Sequence, residues 1–316
     1  MFKQLILNKN VKISIILKKN RIKNINLESF AIVTTFFALW LAIYFEESFE
    51  NILAYLLILT FGILHGANDI KLLQKGNEKI NTRKGFLTTL VYYTLFVLSS
   101  GLLFLFIPTV ALAAFVLFSG YHFGEQHWVS KIRVPSVLNS IFLSAYGIFI
   151  LFLIFSAHAT EVSLIIEQIC GFSIPIDFYS YGVLSTGIVT CLFGAISYTR
   201  KKIRFNVVKQ LFFILVLTIV FNSSSLLLAF AIYFILWHSL PSMVDQIKYL
   251  YGTVSVSNIK KYVVSSFLYW LISVLGMGFM LFLFKDNLST SLAFFFSFLA
   301  AITFPHVLVI KKLYKG

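Results

Sequence analysis

The chain has 316 residues, of which 59% are hydrophobic and only 12% are charged. A soluble domain carries about 25% charged residues, and 26 basic with 12 acidic side chains, most of them in short loops, are too few to cover so apolar a protein with a water-facing surface. The net charge of +14 would suit a nucleic-acid partner if it were clustered on one soluble face; its placement along the chain, set out below, gives it a different role.

Residues 1–28 form a basic tail, and 29–316 read as a single transmembrane helical domain. The tail carries seven Lys or Arg before the first apolar segment, and Leu5–Leu17 has some apolar periodicity. Either a short interfacial helix or a plain cytoplasmic tail fits this pattern. No small-residue cleavage site follows it, so no cleavable signal peptide is expected.

Apolar blocks of roughly 17–23 residues then recur, the length that crosses a bilayer. They predict an all-α, polytopic transmembrane bundle of about ten helices, at 29–45, 50–70, 85–107, 110–128, 137–157, 181–199, 206–221, 225–242, 262–284 and 289–310. A transmembrane β-barrel would instead show short alternating segments. Pro108-Thr109 and Asn222-Ser223-Ser224 are tight turns between antiparallel neighbours, and Pro241 is a natural stop or kink for the eighth helix. The loop 158–180 is apolar around Pro175 and is expected on the outer surface. Cys170 and Cys191 supply neither a disulfide framework nor a zinc pattern.

Charge asymmetry fixes the orientation. With both termini cytoplasmic, the inner segments and the mouth of the seventh helix hold 25 of the 26 Lys and Arg, Lys285 being the exception. The outer loops hold Glu46, Glu47, Glu50, Glu161, Glu167, Asp177 and Asp286. This is the positive-inside pattern. It places the basic residues against an anionic inner leaflet, with no nucleic acid involved.

Polar residues inside these segments are costly unless they bind something or one another. They concentrate in four places: Leu64-His65-Gly66-Ala67-Asn68-Asp69, Gly120-Tyr121-His122-Phe123-Gly124-Glu125-Gln126-His127-Trp128, Trp237-His238-Ser239 and Pro305-His306. His65, His122, His127, His238 and His306 all fall toward the inner ends of even-numbered helices, at depths that agree to within about two turns. His158 is at the opposite end. Four helices bringing imidazole to one depth is the pattern of a metal site inside a bundle, and imidazole without thiolate suits Fe, Zn, Cu or Ni. Asp69 is one turn beyond His65 and either orients a ligand ring or simply ends the helix. Glu125 has three readings: a ligand, an outer partner of one, or a proton carrier. His127 has a plain alternative at the headgroups beside Trp128, and His306 one as a hydrogen-bonded interior histidine. Trp128 and Trp237 read as interface anchors. Gly66, Gly120 and Gly124 are small residues that let helices approach closely.

The ordered set of motifs resembles the Brp/Blh-type bacterial and archaeal membrane β-carotene 15,15'-dioxygenases, over about residues 55–312. The resemblance implies cleavage of the central double bond of β-carotene with O2 to give two all-trans-retinals, at a centre of ferrous iron, in the bacterial inner membrane. It implies His65, His122 and His238 as iron ligands; Asp69 and Glu125 stand beside them as catalytic candidates on the reading of the residues above. It also implies a substrate drawn from the bilayer and delivery of retinal to a microbial rhodopsin. The family's fourth ligand position falls on Ser242, a departure from its His-Ser-x-x-His motif. His127 is then the first candidate replacement and His306 the second. Rival readings are a histidine-ligated membrane oxygenase or redox carrier for another polyene, lipid or quinone, and a metal transporter without enzymatic activity.

Overall fold

A computed structural model describes residues 27–315, apart from 76 and 285. The basic tail therefore lies outside the described residues, as does Lys285. Eleven helices are described: α1 (Leu27–Tyr44), α2 (Glu47–Lys75), α3 (Arg83–Phe106), α4 (Pro108–Trp128), α5 (Val137–Ala157), α6 (Ala159–Cys170), α7 (Asp177–Thr199), α8 (Val207–Ser223), α9 (Leu226–Tyr251), α10 (Val256–Leu283) and α11 (Leu288–Lys315). Among the described residues there is no strand, only an isolated bridge between Ile132 and Ile203. Eight helices (α1, α2, α3, α5, α7, α9, α10 and α11) contain windows long and apolar enough to cross a membrane. The chain is a polytopic helical bundle. Each of the ten expected segments is a helix, and the eleventh, α6, occupies the loop 158–180.

Local chemistry sets the helix starts. Thr82, Ser136, Asn206, Ser225 and Ser255 each accept a hydrogen bond from a backbone N–H three residues on, capping α3, α5, α8, α9 and α10. Pro108 opens α4, where its missing N–H has no intrahelical partner to lose. At the far end of the bundle, the buried Glu50 of α2 accepts from the Ser225 N–H at 2.6 Å, so a carboxylate meets the positive end of α9.

α1 packs in membrane fashion, with small residues inward and large ones outward. On α1, Ala31, Thr35 and Ala42 are buried while Phe30, Phe37 and Trp40 are exposed. α9 is the axis of the bundle: 78% of its best apolar window is buried, against 11% for α3 and α10. Every residue from Leu226 to Ile232 is buried, as expected of a helix that is apolar on all faces. The closest helix pair is α4 with α5. A Cβ on Gly124 would lie 1.9 Å from the Leu143 carbonyl oxygen, and one on Gly147 would lie 1.8 Å from that of Gly120. Glycine is therefore obligatory here because the two backbones touch.

Two expectations need correction. Pro241 does not stop the eighth segment; α9 continues to Tyr251. It sits just after a π-helical turn, Tyr233–Ser239, where the regular bonding is already interrupted, so its missing N–H is accommodated. Trp128 and Trp237 are not interface anchors: both are buried, at 2% and 6% exposure. Trp128 packs on Phe142, Tyr146 and Phe205, and Trp237 on Phe213.

Candidate metal centre

The helices α2 and α9 both depart from α-helical geometry beside a histidine. A π-turn holds one extra residue, and each residue of an α-helix turns the chain by about 100°, so a π-turn re-aims the side chains that follow it. In α2 the π-turn is Ile58–Gly62, ending three residues before His65. The Gly62 carbonyl at its end accepts a hydrogen bond from His65 Nδ1 at 2.5 Å. In α9 the π-turn contains His238 itself. The two π-turns pack against one another. Gly62 makes room for this, since a Cβ there would come 2.7 Å from the Phe234 ring.

The other two histidines come from α4 and α11. Gly120 and Gly124 turn one face of α4 to α5. His122, two residues from each, points the opposite way into the bundle. His306 follows Pro305 inside α11. Its Nδ1 donates to Asp69 Oδ1 at 2.8 Å, and Asp69 Oδ2 accepts from the Tyr93 hydroxyl at 2.7 Å. Asp69 thus orients a ring, but the ring of His306 on another helix rather than that of His65.

The four imidazoles form a closed quadrilateral. Ring centroids are 4.6 Å apart for His65–His306 and His122–His238, and 5.3 Å apart for His65–His238 and His122–His306. Neighbouring rings lie at 74–87° to one another. All four residues are at most 4% exposed. One nitrogen from each lies within 4.8 Å of the others. A metal–imidazole bond of about 2.1 Å puts opposite ligand nitrogens about 4.2 Å apart, so a spread within 4.8 Å is about half an ångström from one ion's coordination sphere. His65 Nε2, His306 Nε2, His238 Nδ1 and both nitrogens of His122 have no hydrogen-bond partner among the described residues. Buried polar atoms are rarely left so. Converging, unpartnered nitrogens are what a metal would satisfy, and the donor set fits one.

His127 is not brought into this group. It stands five residues after His122, about 140° further round α4. Its Nε2 bonds Gln210 Oε1 at 2.8 Å, and its ring stacks on Tyr146. Glu125 is also outside the group; its Oε1 accepts from the Tyr121 hydroxyl, one turn back, at 2.9 Å. Ser242 is buried and accepts from Gln246 Nε2 at 3.1 Å. Gln246 Oε1 in turn accepts from the Tyr262 hydroxyl, which also lies 3.3 Å from the His65 carbonyl. Asn68 completes this support: its amide donates to the Tyr262 carbonyl, and its Oδ1 accepts from Ser265.

Tyr93, Gln246 and Tyr262 were not singled out in the sequence. Two are aromatic residues in aromatic-rich apolar runs, and Gln246 stands in a stretch that reads as an inner loop. Nothing local marks them.

The family model described as beta-carotene 15,15'-dioxygenase matches residues 56–314. The chain belongs to that family. The match takes in all four histidines and every helix from the middle of α2 onward, and leaves α1 outside. No curated protein and no solved structure shows a match to the chain. Family membership implies a dioxygenase acting on a carotene with O2, and it favours an enzyme over the transporter alternative. The helices make it a multi-pass membrane protein.

Proposed function

We propose that the protein cleaves the central 15,15' double bond of β-carotene with O2, giving two molecules of all-trans-retinal, at a ferrous centre held by His65, His122, His238 and His306. Each carbon of the broken bond takes one atom of O2, so the reaction balances without an organic cofactor. The observation that carries the proposal is the closed group of four buried histidines from four helices, within a chain of this family.

Ferrous iron in that group would supply the electrons that O2 needs to react with a closed-shell polyene. The protein's own contribution is placement. Asp69 and the Gly62 carbonyl fix the rings of His306 and His65, so the free Nε2 atoms face inward. Phe234 stacks on His238 at 5.7 Å and 11°, and Phe230 stacks on Phe234 at 5.2 Å. This apolar column along α9 keeps the side of the centre against His238 free of polar groups. The choice of bond then follows from how far the rod advances, a positioning effect. The product leaves into lipid, where a microbial rhodopsin is the partner suited to take it, in the bacterial inner membrane.

The test is expression in cells that accumulate β-carotene, with retinal measured by chromatography. Wild type should yield retinal, and His65→Ala, His122→Ala, His238→Ala and His306→Ala should not, with protein still in the membrane. Coloured cells lacking retinal, or containing shorter apocarotenals, despite folded and iron-loaded protein, would sink the reaction.

A further inference from the structure

We infer that α1, which lies outside the family match, is a working part of the metal centre: Thr35 positions the His238 ring by holding its neighbour Trp237. The inference rests on the metal-centre reading above and deepens it.

Of the four histidines, two have a direct orienting bond, His65 to the Gly62 carbonyl and His306 to Asp69. His122 has none, but its helix is locked to α5 by backbone contact at Gly120 and Gly124. His238 has neither safeguard. Its Nδ1 has no partner among the described residues, and it stands inside a π-turn. A π-turn competes with the ordinary α-helical register, and a one-residue change of register there would swing the ring away by about 100°.

Beside the π-turn of α2, an element packed on this turn is α1. The Trp237 indole Nε1 donates to Thr35 Oγ1 at 3.1 Å, with Thr35 fully buried. α1 packs directly on the π-turn and on α8. A second lock secures the start of α1. Glu28 pairs with Lys131 at 3.2 Å and with Lys209 at the mouth of α8. Lys131 also donates to the His127 carbonyl at 3.0 Å, at the end of the helix that carries His122. Between the two locks lies a packed block, in which His127 stacks on Trp237 at 6.3 Å and bonds Gln210 of α8. The helix beyond the family match is therefore tied to the helices of two ligands, α4 and α9. A hydroxyl in an otherwise apolar face of α1, buried and spent on an indole beside a ligand, has no better explanation as lipid-facing surface.

The experiment is a titration of the purified full-length protein with Co2+, whose visible absorption reports both occupancy and ligand geometry. Wild type, Thr35→Val, Thr35→Ser, Trp237→Phe and the Thr35→Val/Trp237→Phe double variant are compared, with thermal unfolding measured on each. Loss of a partner behind a metal ligand costs roughly 10–100-fold in affinity. Thr35→Val should therefore bind Co2+ about tenfold more weakly with a shifted absorption band. Thr35→Ser should behave as wild type, and the double variant should be no worse than Trp237→Phe alone. Wild-type affinity and band in Thr35→Val would overturn the inference. So would equal losses in the Ser and Val variants, or losses that add in the double variant. Wild type that binds no Co2+ is a separate result: it removes the metal centre itself, and this inference with it.

Discussion

Asp69 and His306 are 237 residues apart in the chain and 2.8 Å apart in space, joined as carboxylate oxygen and imidazole Nδ1. With the Tyr93 hydroxyl on its other oxygen, Asp69 is held from two helices and holds a third. A carboxylate behind an imidazole raises its basicity and fixes its tautomer. Asp69→Asn keeps the shape but removes the charge, and should weaken metal binding by roughly 10–100-fold. Tyr93→Phe should weaken it less, because one bond to Asp69 remains. Metal content after dialysis against graded chelator ranks the three proteins; equal retention would mean that Asp69 does not act through His306.

His127 and His306 were both candidates for the place that Ser242 leaves open, and the structure treats them differently. His306→Ala should lose bound metal by more than the roughly 100-fold upper bound for an outer partner. His127→Ala should keep its metal and lose stability instead, since it leaves Gln210 without its bond at a cost of about 1–3 kcal/mol. Metal analysis and thermal unfolding of the two variants separate the cases.

Ser242 stands four residues after His238 on α9, where a regular α-helix would put both on one face. If the open position is set by that face, Ser242→His in the His306→Ala background should recover part of the lost metal binding. Ser242→His alone should be destabilised by about 1–3 kcal/mol, because a ring must fit where Ser242 and Gln246 now pack. No recovery in the double variant would show that the imidazole at 306 cannot be replaced from α9.

The α4–α5 contact carries its own prediction. Gly124→Ala forces a Cβ against the Leu143 carbonyl, 1.9 Å away, and a backbone cannot step aside as a side chain can. The variant should be destabilised by at least about 1–3 kcal/mol and should lose metal through displacement of His122. Gly66→Ala is the control: its Cβ would meet His306 Nδ1 at an ordinary 3.7 Å, so it should fold as wild type.

Much of this was legible in the sequence, for physical reasons. A bilayer demands long apolar runs, so all ten segments could be placed, and a costly polar group in such a run must have a purpose, so the histidines stood out. The sequence did not reveal which of His127 and His306 joins the group. Both lie at the right depth, and the difference is the angle around a helix axis. That angle matters only relative to the other ligand helices, and how α4 and α11 are rotated against them leaves no mark in hydropathy. Nor could the pairing of Asp69 with His306 be foreseen, since contacts between helices distant in the chain have no local signature. The burial of Trp128 and Trp237 was missed for a related reason: α5 and Phe205 cover Trp128, and α1 and α8 cover Trp237, on ground that a plain reading of segment ends assigns to the membrane surface.

The π-turns of α2 and α9 also make the protein fragile in a way that ordinary screening would overlook. Inserting one apolar residue into Ile58–Gly62 or into Tyr233-Phe234-Ile235 would leave a helix of nearly the same length and greasiness. The machinery that threads helices into a bilayer would accept it, and the protein would accumulate at normal levels. Yet each turn already holds its extra residue, so everything beyond the insertion would turn by about 100° and carry a ligand off its mark. For this chain, then, abundance in the membrane is a poor proxy for a working centre, and small in-frame insertions are a greater hazard than most exchanges of one apolar residue for another.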